Sequence, residues 1–168
     1  THNTPRSFQR IPESDYLKIV YTISLFSPAI TFIHSGFELA ESNPVNTGLD
    51  FTPEEIEKFP SEKLGLFSSV QLNWENQNEI TDFIKKVNKI KLDWISENDD
   101  IFKQQIFPIN TGNDAVIGFL RRDSVKQEEI LILANLSNNF IENSKIELLE
   151  GACGVTELIS DVNIPAND

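Results

Sequence analysis

Before residue 100 the apolar side chains of this chain recur mainly at three- and four-residue steps, whereas after it they recur nearly every second position. That change of period constrains the fold more than any other feature, because 3.6-residue and 2-residue repeats bury one face only in a helix and a strand respectively. Ser14 or Asp15 can accept the first free amide hydrogens of a helix carrying Tyr16, Leu17, Ile19, Val20 and Ile23 on its apolar stripe. Ser27-Pro28 ends it, since proline has no N–H and disfavours helix at the residue before it. The next five residues, Ala29 to Ile33, are apolar and β-branched and predict a strand covered on both faces. Residues 79–96 form the clearest helix, with Ile80, Phe83, Ile84, Val87, Trp94 and Ile95 on one stripe and Asn76 or Asn78 as cap.

From His34 to Asn78, Pro44, Pro53, Pro60, Gly36, Gly48 and Gly65 interrupt every period, so the chain makes a long excursion. Within it Thr52-Pro53-Glu54-Glu55 predicts a short helix with a capping box. Residues 1–10, broken by Pro5, read as a loop. Beyond Asp100, Gln105–Ile109, Ala115–Arg121, Glu129–Leu136, Ser144–Leu149 and Val155–Ile159 are strand-like runs bounded by Asn, Gly, Ser or Asp. The expected organisation is an α/β part over 1–100 followed by an all-β part over 101–168, an antiparallel sheet or part of a sandwich.

Charge narrows the partners. The 168 residues carry 26 Asp plus Glu against 14 Lys plus Arg, a net charge of −12 that repels phosphate backbones. The densest cationic stretch, Lys85 to Lys91, is interleaved with apolar residues at helical spacing and reads as the wet side of a helix. Nucleic acid is therefore not an expected partner. No apolar run approaches the ~18 residues of a membrane span, so a soluble chain, cytoplasmic or periplasmic, is expected. Cys153 is the single cysteine and forms no internal disulfide. Thr1 to Arg10 show no apolar h-region, and Met is absent throughout, so the chain is expected to have lost its natural start or to be cut from something longer.

Two segments carry candidate chemistry. In His2-Asn3-Thr4-Pro5-Arg6 a neutral imidazole and an amide can hydrogen-bond sugar hydroxyls, and Arg6 can hold a carboxylate in a fixed fork. An ordinary polar terminus has the same composition. His34-Ser35-Gly36-Phe37-Glu38-Leu39-Ala40-Glu41 follows the expected strand directly, where residues touch substrate if that strand belongs to a parallel barrel. Alternatively, His34 and Glu38 satisfy loop backbone groups. Trp74, inside the excursion, is the better sugar-stacking candidate, because Trp94 lies on an apolar stripe. Two isolated histidines and one cysteine give no metal-ligand spacing, Ser35 is in no G-x-S-x-G elbow, and there is no Gly-rich phosphate loop. Asn135-Leu136-Ser137 satisfies N-x-S/T at the end of a strand-like run.

The order of these features resembles one family. Thr1-His2-Asn3-Thr4-Pro5-Arg6 resembles the N-H-D-T-P-R region of the α-amylase family, glycoside hydrolase family 13, and Pro28 to Leu39 resembles its last barrel strand, of the form G-x-P-x-I-x-x-G-x-E. Val116–Leu120 and Ile130–Ser137 resemble its C-terminal β-domain, whose hydrophobic runs often end in N-L-S, and Pro44 to Leu49 resembles, more loosely, a segment of some bacterial members.

The resemblance implies that residues 1–100 are the last βα units of a (β/α)₈ TIM barrel and 101–168 an antiparallel β-sandwich-like domain with an incomplete C-terminal edge. A whole barrel takes ~250 residues, so the family's nucleophilic Asp and proton-donating Glu would lie on strands outside this chain. Asn3 would stand at the transition-state-stabilising Asp, and His2, Arg6, Gly36, Glu38 and Trp74 would contribute to substrate binding. The implied activity is retaining hydrolysis or transfer at α-1,4-glucosidic bonds of an α-glucan or maltooligosaccharide, with none expected from this chain alone. The alternative is a degenerate, non-catalytic carbohydrate- or protein-binding member. No metal or cofactor is implied for the chain, calcium in the parent protein being the one candidate, and self-association of a barrel fragment is expected through its uncovered apolar faces.

Overall fold

The computed structural model describes residues 3–60, 64, 72, 74–75, 78–100, 102–103, 105–141, 146, 155–159 and 162–164. They group into two compact units, Thr1–Tyr21 with Thr31–Ile84 and Thr22–Ile30 with Lys85–Asp168.

The first unit contains helix α1 (Ser7–Arg10), the start of α2 (Ser14–Phe26), a 3-10 turn at Phe37–Leu39, helix α3 (Pro53–Lys58) and the first turns of α4 (Glu79–Trp94). A short helix thus occupies part of the expected loop over 1–10. Leu17 and Tyr21, one helical turn apart on α2, are buried together with Leu39 and Ile80. The Tyr21 ring stacks on Phe37 with centroids 6.0 Å apart. Asn78 caps α4 by accepting from the Ile80 amide at 2.9 Å, and Thr81 Oγ1 donates to the Glu38 carbonyl at 2.9 Å, tying that helix to the 3-10 turn. On α3, Thr52 Oγ1 accepts from Glu55 N at 3.3 Å while Glu55 Oε2 accepts from Thr52 N at 2.8 Å, so the capping box forms.

In the second unit, strands β1 (Ile106–Pro108), β2 (Val116–Arg122) and β3 (Glu129–Asn135) form an antiparallel sheet in the order β1-β2-β3. Pro108 sits on edge strand β1, where a missing N–H costs no ladder bond to a second neighbour. Along β3, Ile130, Ile132 and Ala134 are buried while Leu133 faces out, and Ile132 opposes Phe119 of β2. A separate two-stranded ladder pairs β4 (Val155–Glu157) with β5 (Val162–Ile164). Of the expected strand at Ser144–Leu149 only Ile146 is among the described residues, and the rest lies outside them.

The expected fold class is overturned. The described residues form four α-helices, a three-stranded antiparallel sheet and a two-stranded ladder, and show neither the end of a TIM barrel nor a β-sandwich. The decisive segment is Ala29–Ile33. It belongs to no strand, Ala29 lies in a bend, and Ile30 and Phe32 are 73% and 88% exposed instead of covered on both faces. A parallel strand exists only with neighbours to take its N–H and C=O groups, and no described segment pairs with this one. Past β3 the described residues add only the two-stranded β4–β5 ladder, which is not the second sheet of a sandwich.

Candidate functional site

Arg6 is the centre of the first unit's polar architecture. It is buried just before α1, and its Nε donates to the Asn43 carbonyl at 2.6 Å while Nη1 donates to the Ser35 carbonyl at 2.9 Å. Burial lowers its pKa, and the nearby Glu41 and Glu38 carboxylates oppose that shift. The fork expected for a substrate carboxylate is therefore spent on two backbone carbonyls of the excursion. Arg6 positions the loop that follows Ile33.

Gly36 is required there twice over. Its φ of +95° lies in the left-handed region, and an added Cβ would stand 3.0 Å from Glu41 Cβ and 3.2 Å from Arg6 Nη1. Its N–H donates to Glu38 Oε2 at 3.1 Å and its carbonyl accepts from Glu41 N at 2.9 Å. Glu38 thus satisfies a loop backbone group.

Asn3 is laced to the same excursion further on. Its Oδ1 accepts from Asn46 Nδ2 at 3.0 Å, and its carbonyl accepts from Leu49 N at 2.6 Å. Gly48 permits the approach, because a Cβ there would meet the Asn3 carbonyl oxygen at 2.9 Å. Segment 3–6 and segment 35–49 therefore lie side by side, joined by two side chains and a backbone bond.

Between them opens a cavity of about 140 Å³ with Thr4, Arg6, Phe8, His34, Phe37 and Glu41 among its lining. Its lining brings together two aromatic rings, one imidazole, the Thr4 and Ser7 hydroxyls, the Arg6 guanidinium and one carboxylate. Glu41 Oε1 accepts from Asn43 N at 2.7 Å, which orients that carboxylate. Such a wall can accept from hydroxyl groups and cover an apolar ring face. It holds no pair of carboxylates arranged as acid and nucleophile.

Of the residues expected to act, Asn3, Arg6, Gly36 and Glu38 come together in this unit. His2 lies outside the described residues. Of the residues brought together, only Arg6 lines the cavity; Asn3, Gly36 and Glu38 border it without lining it, and Trp74, 60% exposed, does not line it either. Asn43 and Asn46 were not legible as partners, since one is used through its backbone and the other is an ordinary Asn in an Asn-rich stretch. Among the described residues no group of three or more His, Cys, Asp or Glu side chains can hold a metal ion, and no helix is long and apolar enough to cross a membrane. No protein-family model matches the chain, and no curated protein resembles it closely enough to count as a relative.

Proposed function

We propose that this chain forms one wall of the sugar-binding cleft of an α-glucan-active glycoside hydrolase or transglycosylase, retaining at α-1,4-glucosidic bonds. The observation that carries the reading is the lacing of Asn3 and Arg6 to Ser35, Asn43 and Asn46. The two segments with the family-like motifs, far apart in sequence, border one small polar and aromatic cavity. The reading rests on that juxtaposition and on the motifs, and owes nothing to a barrel.

In this reading the chain binds and orients a glucose unit, and the reacting carboxylates are not among its own residues. Asn3 sets the limit. An oxocarbenium-like transition state gains from a fixed negative charge beside the ring, and an amide offers only a dipole and hydrogen bonds. Asn3 therefore also favours the second reading, in which the parent protein keeps the cleft for binding alone.

The test is maltoheptaose hydrolysis by the full-length protein, repeated with Asn3→Asp, alongside calorimetric titration of both with maltoheptaose. Because the Asn3 Oδ1 acceptor survives as a carboxylate oxygen, the Asn46 bond and the fold should persist. A gain of ~10²-fold or more in turnover, the worth of a preorganised charge, supports the catalytic reading. Binding without turnover in both proteins supports the second. Neither binding nor turnover overturns both.

A further inference from the structure

The second unit holds a cavity of about 250 Å³ between the last turn of α2, the residues after it and the C-terminal end of α4. Its lining combines Leu25, Phe26 and Ile95, all buried, with two cations, Lys91 and Arg121, and two carboxylates, Glu97 and Asp99.

The two cations differ in what satisfies them. Arg121 is buried and already paired: Nη2 pairs with Asp99 Oδ2, and Nη1 donates to the Arg122 carbonyl. Asp99 in turn accepts from Ser124 N at 2.9 Å and Gln105 Nε2 at 2.6 Å, so both of its oxygens are in use. The described residues show no hydrogen bond or ion pair between Asp99 and Lys91, although the Asp99 charge acts on it. Lys91 is half-buried, and its ammonium makes no hydrogen bond or ion pair among the described residues. Burial and the neighbouring Arg121 lower its pKa, while the Asp99 charge opposes them. An ammonium whose charged form is disfavoured in this way gains from an anion brought against it. Glu97, at the cavity's exposed side, contributes a carboxylate but does not reach Lys91.

We propose that this cavity binds a small amphipathic monocarboxylate, its apolar body against Leu25, Phe26 and Ile95 and its carboxylate on the Lys91 ammonium. The Lys91 ammonium selects the head group, since among the described residues it is in no ion pair while the other lining cation, Arg121, pairs with Asp99. Size selects the class. The volume lies just below the ~300–1,000 Å³ of drug-sized ligand sites, which fits a single ring or a short alkyl chain with one acid group. A dicarboxylate would bring a second charge onto Leu25 and Phe26 with nothing to pair it. The site lies within the second unit and is independent of the sugar-binding reading.

The experiment titrates the full chain with 3-phenylpropionate and with its neutral isostere 3-phenylpropionamide, by calorimetry and by amide chemical shifts. Wild-type protein should bind the acid saturably, with shifts at Leu25, Phe26 and Ile95, and the amide ~10-fold or more weakly. Lys91→Met should lose binding of the acid by a similar factor while keeping the far-ultraviolet spectrum. Lys91→Gln serves as a second variant, and because the side chain makes no bond in the fold, both should remain folded. The proposal is overturned if the acid fails to saturate by ~10 mM, beyond the millimolar limit of useful affinity. It is equally overturned if acid and amide bind alike, if Lys91→Met binds as wild type does, or if the shifts fall away from this cavity.

Discussion

The Arg6 guanidinium donates to the Ser35 carbonyl at 2.9 Å across 29 positions of sequence, and the same side chain reaches Asn43, 37 positions away, at 2.6 Å. A single buried cation thus fixes both ends of the loop that turns through Gly36. Arg can do this because its planar fork presents donors in two directions at once.

Replacing Arg6 by Ala should remove two charge-assisted bonds and cost about 1 to 3 kcal/mol, because Ser35 and Asn43 are exposed and water can reach their carbonyls. Lys in its place should recover little, since a point ammonium cannot span Ser35 and Asn43 together. Urea midpoints give the stability change. Amide exchange at Leu39 and Ala40 should accelerate in both variants, and unchanged exchange there would show that the loop is held by something else.

The capping box of α3 gives a contrast between two kinds of polar contact. Glu55 closes the box with Thr52 and also pairs with the exposed Arg10 at 3.2 Å, an Arg that reaches the Asp50 carbonyl as well. Thr52→Ala should cost about 1 kcal/mol of helix stability. Arg10→Ala should cost less, because exposed ion pairs are worth about 0 to 1 kcal/mol. Amide exchange at Glu55 and Ile56 ranks the two, and the reverse order would mean that the tether to Asp50 outweighs the cap.

Much of this was legible in sequence and some was not, for one physical reason. Features written within a few residues were readable: Pro28 as a helix stop, the Thr52–Glu55 box, the apolar stripes of α2 and α4, the alternation that becomes β2 and β3. What depends on a partner elsewhere was not. Ala29–Ile33 has the composition of a covered strand, yet covering is supplied by neighbours, and Phe32 has none among the described residues. Arg6 was noticed for its fork, but its acceptors are backbone carbonyls, which every residue presents and no sequence marks. In the same way the Asn3–Asn46 bond joins two common residues whose pairing only the folded excursion reveals.

Acid should weaken the second unit at a definable point. Asp123 is 0% exposed; burial raises its pKa, but amides of Lys126, Ser96 and Val125 donating to its carboxylate outweigh that and hold the pKa below the ordinary value. A group depressed in the folded state stabilises above its unfolded pKa, and that contribution is lost as pH falls through the folded value. Stability should therefore be level from neutral pH down to ~4, the ordinary aspartate range, and drop below it. Asp123→Asn leaves one acceptor oxygen for three donors and should cost about 1 to 3 kcal/mol at neutral pH. Its acid slope should be shallower than that of wild type, with Asp99 supplying what remains. Denaturant midpoints from pH 7 to pH 2.5 check both, and parallel slopes would assign the acid sensitivity to other carboxylates.

The sheet offers a test of packing with an internal rescue. Gly118 sits mid-strand in β2 opposite Leu133, and a Cβ there would lie 2.8 Å from Thr111 Cγ2 and 3.1 Å from Leu133 Cδ2. Thr111 cannot swing aside freely, because its hydroxyl donates to the Val116 carbonyl at 2.9 Å or the Asn113 carbonyl at 3.0 Å. Gly118→Ala should therefore destabilise the unit by about 1 to 3 kcal/mol, the usual cost of overpacking. Thr111→Ser removes the clashing methyl and keeps the hydroxyl, so the double variant should be more stable than the sum of the single changes predicts, by at least ~0.5 kcal/mol. Leu133 still presses on the new methyl, which keeps the rescue partial. Simple additivity in thermal midpoints would mean that β2 shifts to relieve the contact and that Thr111 does not wall the Gly118 site.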